Sequence, residues 1–267
     1  MFPFALPFLG RPVLWYGFFF ALGFFLGYFA LVALLRRLPF LPPGRAVRIA
    51  DQVTLYVAAG AVLGARLGDV LFYQDWANYA RDPWTLLRVW EGGLASHGGA
   101  FGVLAALFCV RLRRRKRDPQ LSFLRLLDVT VIPAALAGSM IRIGNFFNQE
   151  ILGTPSSLPW AVIFGHPIDG SAPSPRHPVQ LYESLYYLAL FFVLFALWMR
   201  STRARRPGTA SGLFLVAVFS FRFLVEFVKV EQSVRVGPDA WLTMGQLLSM
   251  PFILLGVALL LGRRKWR

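Results

Sequence analysis

Cysteine is almost missing from this 267-residue chain, in which Cys109 stands alone. A lone thiol rules out an intrachain disulfide and a metal site built on several cysteines. Charged residues are scarce too, at 15%, where a soluble domain carries about 25%. That is too few to cover a soluble surface. Acidic residues are the scarcest of them, with 13 Asp and Glu against 28 Lys and Arg. No basic stretch precedes the first apolar run, so that run does not look like a cleaved signal peptide and reads as a retained membrane helix. The chain also lacks the H-E-x-x-H, G-x-S-x-G, P-loop and G-x-G-x-x-G contexts that mark many hydrolases and nucleotide-binding enzymes. Together these absences exclude a disordered chain, a secreted disulfide scaffold and an ordinary cytosolic enzyme.

What is abundant is apolar. Hydrophobic residues make up 57% of the chain and aromatics 16%, and the mean hydropathy is +0.56. A spanning helix needs about 20 mostly apolar residues. Seven runs answer to this, at about Leu14–Leu35, Val53–Tyr73, Leu94–Val110, Phe123–Ile143, Val179–Met199, Gly212–Val228 and Leu242–Leu261. Asp128 and Pro133 interrupt the fourth. The expectation is an all-α membrane protein: one polytopic domain over residues 1–267, a bundle of about seven transmembrane helices, with a small external head at about 144–178.

A net charge of +15 would suggest nucleic acid in a soluble protein. Here the basic residues sit in short blocks between apolar runs, so no nucleic-acid partner is expected. Nineteen of the 28 Lys and Arg follow the first, third, fifth and seventh runs, from Arg36 to Arg48, Arg111 to Arg125, Arg200 to Arg206 and Arg263 to Arg267. Alternating helices put all four blocks on one face, which the positive-inside rule makes cytoplasmic. The N-terminus is then outside and the C-terminus inside. Trp76, Trp84, Trp90, Trp160 and Trp241 suit the outer lipid–water interface. The longest and most polar loop is external, so function is expected to face outward.

A charge at mid-bilayer costs at least about 2.5–3.5 kcal/mol, which makes the polar residues of the apolar runs informative. Arg66 with Asp69 (i,i+3) and Arg222 with Glu226 (i,i+4) can each share a helix face. Either pair reads as a structural ion pair or as part of a site. His97 lies in a glycine-rich stretch, Gly92 to Gly102. Small neighbours would let a substrate reach the imidazole as base or donor, or would simply let helices pack. Glycines at four-residue spacing, Gly23 and Gly27, Gly60, Gly64 and Gly68, Gly98 and Gly102, suggest close helix approach. The densest polar run, Arg142 to Gly153, offers a guanidinium fork, the amides of Asn145, Asn148 and Gln149, and Glu150. Such a fork grips phosphate through paired hydrogen bonds. In the cluster Arg176 to Glu183, Gln180 and Glu183 share a face and no metal-ligand spacing appears. Cys109 reads as a buried small apolar residue.

In this order, these blocks resemble the bacterial prolipoprotein diacylglyceryl transferases. The resemblance runs from Trp15-Tyr16-Gly17 to the last helix. It rests on Gly64-Ala65-Arg66-Leu67-Gly68, on His97 within Gly92–Gly99, on Arg142–Gly153, Arg176–Glu183 and Arg222–Glu226, and on Gly245-Gln246-Leu247-Leu248-Ser249. The pattern R-x-G-N-F-x-N-x-E-x-x-G inside Arg142–Gly153 is specific. The chain departs from the family's usual residues at Ile141, Val218 and Lys229, where Gly, Tyr and Arg are common.

The resemblance implies a seven-helix inner-membrane enzyme that moves a diacylglyceryl group from phosphatidylglycerol to the lipobox cysteine of a prolipoprotein signal peptide, releasing glycerol 1-phosphate. It implies functional roles for Tyr16, His97, Arg142, Asn145, Glu150, Gly153, Arg222 and Glu226, with no metal and no cofactor. The chemistry of the residues agrees. Arg142 and Arg222 would hold the phosphodiester and stabilise the leaving phosphate, and His97 would serve as base toward the substrate thiol. Asn145 would fix the headgroup, Glu150 would anchor the loop or bond the glycerol, and Glu226 would orient Arg222. The cytoplasmic basic blocks would touch anionic membrane lipids. A non-catalytic phosphatidylglycerol-binding protein of the same fold remains open as an alternative. So does a transporter, although no repeat of halves is clear.

Overall fold

The computed structural model describes residues 4–5, 12–13, 15–73, 82, 84, 93, 95–230 and 241–262. Among them are seven α-helices: α1 (Trp15–Leu35), α2 (Pro43–Phe72), α3 (Ser96–Arg114), α4 (Phe123–Phe147), α5 (Val179–Arg200), α6 (Thr209–Val225) and α7 (Met244–Leu261). Each contains most of one apolar run. Six helical spans are long and apolar enough to cross a membrane, and the protein is a multi-pass membrane protein. α3 does not reach that standard, because it opens on Ser96-His97-Gly98-Gly99 and ends on Arg111, Arg113 and Arg114. Strands β1 (Phe4–Ala5) and β2 (Pro12–Val13) pair antiparallel, as do β3 (Val162–Ile163) and β4 (Pro175–Arg176). Trp76, Trp90, Gly92 and the basic residues after Gly262 lie outside the described residues.

Contacts divide the chain into two compact units, Leu35–Leu127 and Met1–Leu34 with Asp128–Arg267. In the first, α2 starts on the Pro42–Pro43 pair, where proline's missing N–H costs nothing. It packs along α3 backbone to backbone. A Cβ added to Gly64 would collide with the Gly98 carbonyl oxygen, and one on Gly102 with that of Gly60. Only glycine permits this approach, as its four-residue spacing foretold. Beside this seam runs an apolar groove of about 440 Å³, lined by Leu55, Leu63, Leu67 and Cys109 among others. Cys109 is exposed there rather than buried, because it forms part of the wall of that open groove. Near the end of α3, Asp118 pairs with Arg45 at 3.2 Å and Arg114 at 3.5 Å.

In the other unit, α4 is continuous through Pro133. Asp128 does not break it either. Its fully buried carboxylate accepts from Gly208 N at 2.7 Å, Ser211 N at 2.8 Å and Ser211 Oγ at 2.7 Å. It thus caps the positive end of α6, which is why a carboxylate is tolerated there. Gly23 and Gly27 of α1 lie against Ala137 and Pro133 of α4. Trp198 of α5, 1% exposed, donates to Leu34 O at 3.0 Å. α7 opens on a capping box between Thr243 and Gln246.

Candidate functional site

The last turns of α4 set the site. Arg142 and Asn145 are one turn apart, and Arg142 Nη1 donates to Asn145 Oδ1 at 3.1 Å. Asn145 Nδ2 passes the chain on to Glu150 Oε1 at 2.7 Å, and Asn148 Nδ2 joins it at 3.2 Å. Asn145 thus aims its amide oxygen at the cation, and both amides aim their hydrogens at the carboxylate.

The backbone after the helix is bent to make this work. Gln149 (φ 54°) and Ile151 (φ 59°) both occupy the left-handed region. That is unfavourable for a β-branched residue, costing about 1–3 kcal/mol, and neighbouring bonds hold it. Gln149 Oε1 accepts from His166 N at 2.6 Å, and Gln149 O from Ile168 N at 3.1 Å. Gln180 of α5 donates to Glu150 O at 2.8 Å. Between α4 and α5, Arg176 reaches Gly153 O at 3.4 Å and Ser171 Oγ at 2.9 Å. The Ser171 hydroxyl and amide hold the Asp169 carboxyl below the usual carboxylate range.

α5 supplies a residue that sequence reasoning left out of the site. Glu183, fully buried, places Oε2 2.8 Å from Arg142 Nε and Oε1 3.9 Å from Lys229 Nζ. Neither oxygen makes a well-aligned hydrogen bond, so these are ion pairs held by charge. The signal was present as Gln180 and Glu183 sharing one face of an apolar helix. Lys229, noted only as a departure, arrives through the backbone. Gly153 bridges Lys229 in antiparallel fashion, and Val230 N donates to Leu152 O at 2.9 Å. Gly153 has no room for a side chain, since a Cβ would strike the His177 carbonyl oxygen.

Tyr16 joins the cluster. Its Cα and ring press on Gly144, 3.0 and 3.1 Å from where a Cβ would stand, and it feels the charges of Glu150 and Arg142. Arg222 acts on Tyr187 and Lys229 as a charge. Among the described residues no hydrogen bond or ion pair engages its guanidinium. The expected Arg222–Glu226 pairing is not made. α6 ends at Val225 and the chain tightens into a 3-10 turn, Glu226–Val228, yet Glu226 N still donates to Arg222 O, so the helical spacing is kept and only the side chains part. The Glu226 carboxylate instead lies on Gly245 at the start of α7, where any Cβ would displace it.

Two expected residues belong to the other unit. Arg66 donates to Gly93 O at 3.2 Å and lies 3.9 Å from Asp69, both of them buried. Gly93 at φ +69° fits over that pair with no space for a Cβ, so the pair braces the chain leading into α3. His97 is exposed, with its ring 5.4 Å from Phe72 and 5.7 Å from Tyr73. The glycines beside it, Gly98 and Gly102, are occupied by α2. They serve helix packing, one of the two readings of that stretch.

Comparison with known proteins reaches the same blocks. Residues 3–262 match the family model described as prolipoprotein diacylglyceryl transferase. A protein of Protochlamydia amoebophila named phosphatidylglycerol--prolipoprotein diacylglyceryl transferase is 51% identical over 220 residues, covering 82% of this chain and 58% of its own longer one. The protein of that name from Tolumonas auensis is 41% identical over 247 residues, with 92% and 90% covered. That from Chlamydia trachomatis is 39% identical over 260 residues, with 96% and 93% covered.

Proposed function

The chain belongs to the prolipoprotein diacylglyceryl transferase family, and from that membership we propose that it moves the diacylglyceryl group of phosphatidylglycerol onto the lipobox cysteine of a prolipoprotein. The observation that carries this reading is the charge cluster at the end of α4, where Arg142, braced by Asn145 and Glu183, meets Lys229 within an apolar bundle. Such a cluster suits an anionic headgroup whose acyl tails stay among helices.

The substrate's sulfur attacks the glyceryl carbon that carries the phosphate ester. The C–S bond forms as the C–O bond to phosphate breaks, the thiol proton goes to a base, and glycerol 1-phosphate leaves. Negative charge gathers on the leaving phosphate, where Arg142 and Arg222 stabilise it. Asn145 and Glu150 fix the glycerol headgroup, with Tyr16, Gly153 and Glu226 shaping the pocket around it. His97 is the proposed base. The enzyme needs no nucleophile of its own, which frees Cys109 from any role.

The proposed setting is the bacterial cytoplasmic membrane, with the N-terminus outside, the C-terminus inside and the head at about 144–178 on the outer face. The basic blocks support this orientation and would lie against anionic lipids. The test is direct. Purified protein with phosphatidylglycerol and a lipobox peptide should add a diacylglyceryl mass to the peptide and release glycerol 1-phosphate. A folded protein that leaves several such peptides unmodified would overturn the reading. In the same assay His97→Gln should lower turnover by about 10²-fold, and unchanged turnover would remove His97 from its role as base.

A further inference from the structure

Glu183 has no assigned task, yet among the described residues it is the one carboxylate that touches two cations of the cluster. It is fully buried in the second turn of α5. Its two oxygens face different segments, one toward Arg142 of α4 at 2.8 Å and the other toward Lys229, beyond α6, at 3.9 Å. One turn earlier on the same face, Gln180 holds the carbonyl of Glu150 at 2.8 Å. The start of α5 therefore grips both ends of the polar run, the cation and the strained turn. A single charge between two cations leaves the trio with net charge +1, so it fixes their spacing without cancelling their attraction for an anion.

We propose that Glu183 is a positioning residue that holds Arg142 and Lys229 side by side as one phosphate-binding pair. This assignment rests on the transfer reading above and deepens it, by adding Lys229 as a second cation for the anionic lipid and Glu183 as the group that sets both. Breaking a buried charge pair on one side is costly because the partner is left uncompensated, so the arrangement persists when the site is empty. A misplacement of about 1 Å in a reacting group can lower a rate by about 10²-fold, which is the lever Glu183 controls.

The groups around Lys229 make the coupling measurable. Burial holds the Lys229 ammonium below the usual lysine range, and Glu183 opposes that shift most strongly. Arg142 and Arg222 add to the lowering and Glu226 opposes it. Taking away the Glu183 charge must move the Lys229 midpoint to lower pH, because the protonated form loses its nearest anion. Lys116 and Lys265 are the only other lysines. In a Lys116→Arg, Lys265→Arg background the Lys229 side chain can be followed alone, by the pH dependence of its 13Cε resonance after labelled lysine is incorporated into the full chain.

Glu183→Gln keeps the shape and removes the charge. The proposal expects the Lys229 midpoint to fall. It also expects kcat with phosphatidylglycerol to drop by about 10²-fold with KM little changed, and the alkaline limb of the rate profile to move to lower pH. Glu183→Asp keeps the charge but withdraws it, and should fall between. If Glu183→Gln fails to accumulate, the Glu183→Asp titration carries the test. An unmoved Lys229 midpoint in whichever variant folds overturns the positioning role. So does a kcat loss that only follows the folded fraction and leaves the pH limb in place. Absence of transfer by the parent protein would instead overturn the functional reading, while the titration would still decide whether Glu183 holds Lys229.

Discussion

Two arginine–carboxylate arrangements in this protein start from similar sequence and end in different places. Arg66 and Asp69 sit on one helix, pair with each other and close on the backbone of Gly93. Arg142 sits on another and is held by Asn145, by Glu183 from α5, and at one remove by Glu150 and Lys229. Among the described residues the first arrangement is made within α2 and at Gly93, and it supports a helix seam with no room for side chains. The second is assembled from four segments beside a strained turn. On the proposed reading, the buried charge of the second arrangement is kept for an anionic ligand and is held by groups that fix its place and leave net attraction.

Breaking the local arrangement should cost folded protein. Arg66→Ala takes the cation from Asp69 and the donor from Gly93, an expected loss of about 3–5 kcal/mol. It should appear as low abundance in membranes and early melting in detergent, while the surviving folded fraction keeps its turnover. Breaking the assembled arrangement should cost chemistry. Arg142→Ala should lower transfer by about 10²–10³-fold in protein that still inserts. If the two variants behave alike, the distinction between the regions is wrong. A smaller effect sharpens the structural side. Gly102→Leu forces a side chain into the Gly60 backbone, worth about 1–3 kcal/mol, and a melting curve should shift accordingly. Smallest of all, Cys109→Ala in the groove should leave transfer unchanged. Lost transfer at normal abundance would give the thiol a role it lacks here.

Much of this was legible in the sequence because the cues were local. Each of the seven apolar runs became a helix. Glycine spacing marked the α2–α3 seam, and Arg142, Asn145 and Glu150 were near enough in sequence to suggest one constellation. One reading failed for an identifiable reason. Arg222 and Glu226 keep their helical spacing, but the Glu226 carboxylate lies on Gly245 at the start of α7, a contact that their own helix does not reveal. The meeting of Glu183 with Lys229 was out of reach because it depends on Leu152 and Gly153 pairing with the segment after α6, a contact that no periodicity records. Asp128 looked like a helix breaker because its partners, Gly208 and Ser211, stand 80 and 83 residues away.

The most direct test of the central claim compares the parent protein with Arg142→Ala at equal folded abundance, using phosphatidylglycerol and a lipobox peptide and following peptide mass. The account predicts a diacylglyceryl mass gain with the parent protein and its near-complete loss in the variant. Equal mass gain in both would contradict it, and would show that the cluster at the end of α4 does not hold the phosphate of the donor lipid.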